Sequence, residues 1–221
     1  MRKYIILLGA AALFAAPRAA HAYVAVLNET IVRNADTDQS GTATVGDLFT
    51  ISNASFSGYT PCQGDPVIGF NNGPNDLGRY LLNVDGVVAS VSPDPLVGPN
   101  VHYGGSYFLY YDQDGSGAFS VPDYRISSGT ISIDALFDTG TGAATLNGTL
   151  DQILGPEITP PFANLGPQVI VSGTYIPNVD GPQIGKIING TLTRACPVPE
   201  PGSLVFLAGG LLPLLGLRRR K

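Results

Sequence analysis

Tyr80-Leu81-Leu82-Asn83-Val84-Asp85-Gly86-Val87-Val88-Ala89-Ser90-Val91 is the stretch that decides the fold class. Two short apolar runs flank Asp85-Gly86, and a two-residue type I′ turn needs positive φ at both central positions, which Asp-Gly supplies. The spacing predicts a hairpin with strands at 80–84 and 87–91. Working outward, the same pattern recurs. Residues 23–32, 48–56, 107–111, 130–137, 143–150, 169–176 and 184–193 are short and rich in Val, Ile, Thr and Tyr. Each is bounded by Gly, Pro, Asn or Asp, the signature of strands joined by turns. Thr130-Ile131-Ser132-Ile133-Asp134 alternates with period two, as a strand with one wet face does. About nine short strands without intervening helices predict an all-β domain, an antiparallel β-sandwich. Asn147-Gly148-Thr149-Leu150 returns as Asn189-Gly190-Thr191-Leu192, one short echo that does not make a repeat architecture.

The ends of the 221-residue chain differ from its middle. Residues 23–199 hold five basic residues against 16 acidic ones, although the whole chain carries only −5. That acidity argues against nucleic acid or anionic lipid as a partner, since both require clustered Lys and Arg. Two Cys, one Met and no Trp describe neither a Cys-rich metal site nor a disulfide-dense miniprotein. At the N-terminus, Arg2 and Lys3 precede an apolar stretch from Ile5 to Ala16, and Ala20-His21-Ala22 places small residues where a signal peptidase reads. The stretch is short for a membrane span and Pro17 ends it, so the expectation is a signal peptide, residues 1–22, cleaved to leave Tyr23 first. Export would place the remaining domain, residues 23–196, outside the inner membrane.

The C-terminus, residues 197–221, carries three features in fixed order. Val198-Pro199-Glu200-Pro201 is followed by an apolar segment from Leu204 to Leu217 and then by Arg218-Arg219-Arg220-Lys221. Fourteen apolar positions at about 1.5 Å each reach about 21 Å, short of a hydrocarbon core of roughly 30 Å. A helix of this length is a weak anchor, and its basic tail orients the C-terminus to the cytoplasm. In order and spacing these residues resemble the PEP-CTERM family of bacterial exported proteins. The resemblance covers about 25 residues. It implies a hydrophobic sorting helix inserted transiently in the inner membrane, with processing near Pro199, Glu200 and Pro201 by an exosortase. It further implies delivery to the envelope, outer surface or extracellular matrix of a Gram-negative cell producing exopolysaccharide. The family shares its tail while its exported bodies differ, so the tail assigns no activity to the domain.

Two segments within the domain carry chemistry. Residues 36–47 and 112–123 both obey D-x-D-x-S-G-x-x-x-x-x-D. That is the spacing of a twelve-residue calcium loop, and both segments are similar to the loops of EF-hands and dockerins. The candidate ligands of the first are Asp36, Asp38, Ser40, Thr42 and Asp47; those of the second are Asp112, Asp114, Ser116, Ala118 and Asp123. Positions 1, 3, 5 and 12 offer side-chain oxygens, position 7 a backbone carbonyl, and Gly at position 6 the sharp turn that converges them. Asp replaces the bidentate Glu at position 12 and Ser replaces a third acid, departures that weaken binding toward the roughly 10⁻⁴–10⁻³ M of extracellular calcium modules. The flanks read as strands, so these are loops between strands rather than helix-loop-helix switches. Two readings stay open: Ca²⁺ sites, or solvated Asp/Ser/Gly turns that need no metal.

Cys62 and Cys196 are the only two cysteines, and in an oxidising compartment they are expected to pair, the alternative being a free or intermolecular thiol. Catalysis finds little support. His102 is the one histidine beyond the signal segment, and no Gly-x-Ser-x-Gly elbow accompanies a serine. No catalytic residue is assigned and the protein is read as non-enzymatic, with an unrecognised hydrolase as the third alternative. Tyr103, Tyr107, Tyr110 and Tyr111 offer an alternative function, a sugar-stacking surface on an exopolysaccharide-binding module. The sequons at Asn28, Asn53, Asn147 and Asn189 are read as compositional. Together these features predict an exported, calcium-stabilised structural or adhesive protein of the envelope or biofilm matrix.

Overall fold

A computed structural model describes residues 22–62, 76–93, 98–154 and 168–196. The chain divides into two units, 22–194 and a second made of 1–21 with 195–221; of the second, only Ala195 and Cys196 are described. The signal segment and the C-terminal sorting segment therefore lie outside the described residues.

Among the described residues of the first unit there are ten strands: β1 (Ala22–Leu27), β2 (Thr30–Ala35), β3 (Leu48–Ala54), β4 (Phe56–Thr60), β5 (Tyr80–Ser92), β6 (Asn100–Tyr111), β7 (Tyr124–Phe137), β8 (Ala144–Leu154), β9 (Gln168–Ile176) and β10 (Ile184–Ala195). One 3₁₀ turn, Leu77–Arg79, precedes β5, capped by the Asp76 side chain, which accepts from the Gly78 amide. Every pairing whose register is described is antiparallel.

The sequence predicts two stacked sheets; the structure instead has one sheet closed on itself. Strands run in the order β2-β3-β5-β6-β7-β8-β9-β10, and β10 returns to β2 through Ile184↔Arg33 to Ile187↔Thr30, closing an eight-stranded barrel. Closure follows from strand length. β5 to β8 are 11 to 14 residues long and pair with both neighbours, so the sheet has no break at which to divide into two layers. Such long twisted strands coil, and pairing the last with the first removes the edges that an open sheet would expose.

The Asp85-Gly86 hairpin is also corrected. Both residues lie inside the continuous strand β5, where Asp85 pairs with Thr50 and Ser106, and Gly86 with Phe49 and Gly105. A Cβ at Gly86 would overlap the Phe49 ring, and one at Gly105 would overlap the Asp85 carbonyl oxygen. The glycines permit a close crossing of strands rather than a turn, and pairing on both sides outweighs the local turn preference.

Residues 22–60 do form a hairpin, with residues 36–47 at its tip. Val32 pairs with Ile51 and Ala35 with Leu48, and the register continues as Leu27↔Phe56 across the corner where Asn28 meets Ser55. There the Asn28 amide donates to the Ser55 carbonyl at 2.9 Å and Asn28 Nδ2 to Ser55 Oγ at 2.7 Å. Beyond the corner β1 and β4 leave the barrel as two outer strands, β1 continuing beside β10. The barrel interior is filled with apolar side chains from around the ring, among them Val84, Val101, Leu109, Ile131, Ala135, Leu150 and Val169.

Antiparallel connectivity sends successive loops to alternate ends. The β2–β3 loop, residues 36–47, shares one end with the β5–β6, β7–β8 and β9–β10 connections. The β6–β7 loop, residues 112–123, lies at the other.

Candidate metal centres

Each acidic segment folds on its own carboxylates, and the two share a common core of bonds; the Gly115 amide adds one to Asp112, and the Thr37 and Thr44 hydroxyls add two to Asp47. Asp36 accepts from the Ser40 amide (3.1 Å) and the Gly41 amide (2.8 Å); Asp112 accepts from Ser116 (3.1 Å) and Gly117 (2.9 Å). Asp38 accepts from the Ser40 amide at 3.0 Å and the Thr44 hydroxyl at 2.8 Å; Asp114 accepts from Ser116 at 2.9 Å and the Ser120 hydroxyl at 3.0 Å. Asp47 bridges the amides of Thr37 and Thr44, both at 2.8 Å, as Asp123 bridges Gln113 at 2.8 Å and Ser120 at 2.7 Å. Ser40 and Ser116 each donate to the position-7 carbonyl, Thr42 or Ala118, at 2.9 Å. Position 6 adopts the left-handed region in both, with φ of 76° at Gly41 and 72° at Gly117, which glycine enters without a Cβ penalty.

These contacts converge oxygens. One carboxylate oxygen from each of Asp36, Asp38 and Asp47 lies within 4.8 Å of the other two, and the same holds for Asp112, Asp114 and Asp123. Two oxygens bound to one calcium at about 2.4 Å can be no farther apart than about 4.8 Å, so both triads have the span such an ion requires. Ser40, Thr42, Ser116 and Ala118 sit beside their triads through the bonds just described, so every predicted ligand position is gathered into one of two clusters. A divalent cation is the group these donors fit: three carboxylates, a hydroxyl and a carbonyl are hard oxygens, with no nitrogen or sulfur among them.

Hydrogen bonding holds the acids ionised. Thr44, then Ser40, lowers the Asp38 carboxyl from an ordinary 3.8 to about 2, and Ser116, then Ser120, does the same for Asp114. The Thr44 and Thr37 amides lower Asp47, against a burial that opposes them. Asp47, Asp112 and Asp123 are 6%, 5% and 9% exposed, so each loop roots at least one carboxylate in the barrel wall.

The two loops differ in how the barrel grips them. The first is tied to β5 by backbone alone: the Gly46 amide donates to the Val88 carbonyl at 3.0 Å, and the Val88 amide to the Asp47 carbonyl at 2.8 Å. The second is held by side chains that sequence reasoning missed. Arg79 donates from Nη1 to the carbonyls of Asp112 (3.2 Å) and Gln113 (2.7 Å). Asn53, at φ 56°, donates from its side-chain amide to the Gly117 carbonyl and accepts from the Tyr110 hydroxyl at 3.0 Å. Phe119 of the loop packs edge-on against Phe108 and Tyr110, with ring centroids 4.8 and 5.5 Å away. The available signals were slight: Arg79 is one of five basic residues in the acidic middle, and Asn53 is the polar residue of an apolar strand that best tolerates positive φ.

The remaining predicted residues fall elsewhere. Cys62 and Cys196 are both disulfide-bonded, and Arg194 Nη2 approaches Cys62 Sγ at 3.6 Å. Pro199, Glu200 and Pro201 lie outside the described residues. His102 is half-exposed on β6, with Nδ1 2.9 Å from Asp134 Oδ1 across the sheet. Tyr107, Tyr110 and Tyr111 are buried and Tyr103 lines the barrel interior, so these four form no exposed stacking surface. Among the described residues no helix is long and apolar enough to cross a membrane. The chain matches no family model, no curated protein and no solved structure.

Proposed function

We propose that this chain is an exported envelope or biofilm-matrix protein of structural or adhesive role, stabilised by calcium at two loops and sorted by an exosortase-type system. One observation carries the calcium reading. Two segments far apart in sequence, 36–47 and 112–123, share a common core of hydrogen bonds and bring three carboxylates each to within a common ion's reach. Solvated turns need no such duplication. The weak grip expected of Asp at position 12 suits a compartment where calcium is millimolar, and oxidised cysteines suit the same compartment. The N-terminal signal pattern and the Pro199-Glu200-Pro201 tail support export and sorting. A polysaccharide-binding module is disfavoured because the tyrosines that would stack on sugar rings are packed inside.

The test is thermal unfolding of the purified exported protein in calcium and in chelator. At calcium a hundredfold above Kd, each site would add about 2.7 kcal/mol. A rise in Tm that vanishes when Asp36→Ala and Asp112→Ala are combined supports the proposal; the same Tm in calcium and chelator refutes it. Sorting is tested separately by Glu200→Ala, which should leave the C-terminal segment unprocessed.

A further inference from the structure

Asn147-Gly148-Thr149-Leu150 and Asn189-Gly190-Thr191-Leu192 are one tetrapeptide in two settings. In β8 the first copy is paired on both sides, Asn147 with Asp134 and Ser172, and Gly148 with Ile133 and Val171. In β10 the second copy opens on a β-bulge. Ile188 pairs with Thr174 and Thr191 with Ser172, so Asn189 and Gly190 together face Gly173, and neither has its own partner on β9. The pairing of β10 with β2 ends at Ile187, so among the described residues β1 is the one other strand beside the bulge. Asn189 is exposed and takes the left-handed region, with φ of 54°. Glycine suits the next position, since a Cβ at Gly190 would lie 3.0 Å from Leu27 Cδ1 and 3.2 Å from Leu27 Cβ.

Asparagine is chemically labile, and most so before glycine, where no side chain obstructs ring closure. The glycine amide nitrogen attacks the Asn Cγ and the Cγ–Nδ2 bond breaks. The side-chain nitrogen leaves with the amide proton as ammonia, and a five-membered succinimide remains. Water then adds to either ring carbonyl, giving aspartate or the β-linked isoaspartate. Ring closure needs a ψ that neither extended nor left-handed backbone supplies, so the chain must first open locally, and the free energy of that opening governs the rate. Asn147 and Gly148 can turn only by leaving two ladders, whereas at Asn189 and Gly190 one ladder is already interrupted. We propose that Asn189 is a site of spontaneous modification, ageing to aspartate and isoaspartate, while the barrel wall protects Asn147 in the same tetrapeptide. Either product adds a negative charge to an acidic domain. Isoaspartate also lengthens the main chain by one carbon where β10 passes from β2 to β1, so the seam that completes the barrel carries a timer. The inference rests on strand pairing alone and can fail or hold apart from the calcium and export readings.

The test is peptide mapping of the purified exported protein, held folded at mildly alkaline pH in ¹⁸O-labelled water and sampled over time. Mapping separates Asn189 from Asn147 and from Asn72-Gly73, which lies outside the described residues. Asn189 should convert about tenfold faster than Asn147 or more, the rate equivalent of one fewer backbone hydrogen bond to open. Both aspartate and isoaspartate should appear at position 189, each carrying one oxygen from the water. In denaturant, where only the shared tetrapeptide matters, the two asparagines should convert at similar rates. The proposal is overturned if folded Asn189 converts no faster than Asn147, if aspartate is the sole product, or if the difference persists in denaturant.

Discussion

Asn53 shows how one side chain can hold a functional loop that its own sequence neighbourhood does not announce. It takes a left-handed conformation, with φ of 56°, inside a strand, and its amide spans β3, the Gly117 carbonyl of the second loop and the Tyr110 hydroxyl. Asn53→Ala removes those bonds and adds strain at positive φ, and should cost about 2–4 kcal/mol in chemical denaturation. Asn53→Gly keeps the conformation and loses only the bonds, so it should cost about 1–2 kcal/mol less. Equal losses for the two variants would mean that strain plays no part. The carboxylates make a second expectation at this scale. Asp38 and Asp114 titrate near 2 in the fold against an ordinary 3.8, so their ionised forms are favoured by folding. The stability they contribute is fully present above about pH 5 and is lost as pH falls from about 4 toward 2. In chelator, Tm should hold from pH 7 to 5 and then drop. Replacing both with Asn should flatten the drop, as followed by circular dichroism across that range.

At the scale of elements, the glycines of β5 and β6 separate local preference from strand pairing. Gly105 sits against the Asp85 carbonyl, whereas the nearest neighbour of a Cβ at Gly104 would be the Ala89 methyl at 3.9 Å. Gly105→Ala should therefore cost about 3 kcal/mol or more, because backbone paired on both sides cannot yield, while Gly104→Ala should be nearly neutral. Urea midpoints of the two variants compare them directly; similar values would show that β5 and β6 do not cross as closely as described. The same glycines explain what the sequence could and could not disclose. Strand character was legible because alternation and β-branched content reflect burial on one face, a local property. Asp85-Gly86 misled because an identical dipeptide serves a tight turn or a close crossing, and only Phe49 and Gly105 across the sheet decide which. Gly104-Gly105 hid the first half of β6 for the same reason. Barrel closure was illegible, since it rests on pairing between Arg33 and Ile184, 151 residues apart. The two acidic loops were legible because their ligands lie within twelve consecutive residues, whereas the braces of the second, Arg79 in the 3₁₀ turn before β5 and Asn53 on β3, come from distant parts of the chain.

Taken as a whole, the molecule places its two candidate metal centres at opposite ends of the barrel and fastens one to β5 and the other to the 3₁₀ turn that leads into it. Loop 36–47 is bonded to Val88 near one end of that strand, and loop 112–123 to Arg79, the residue before the other end. Nine residues of extended chain at about 3.3 Å each separate the two attachments by about 30 Å. At that distance, with exposed charges screened beyond about 8 Å at physiological ionic strength, two bound cations would neither repel nor assist one another measurably. Direct coupling is therefore not expected, and the sites should act as independent clamps on the two ends of one cooperative barrel. The grip differs: side chains of Arg79, Asn53 and Phe119 hold the second loop in place, so less conformational freedom is lost there when an ion binds. Loop 112–123 should accordingly saturate at lower calcium than loop 36–47. Titrating calcium against Tm for Asp36→Ala and Asp112→Ala separately should give two single-site curves, the tighter one in the protein that retains Asp112. Their stabilisations at saturation should sum to that of the parent within about 0.5 kcal/mol. A shortfall well beyond that margin would show that the two ends of the barrel communicate through β5.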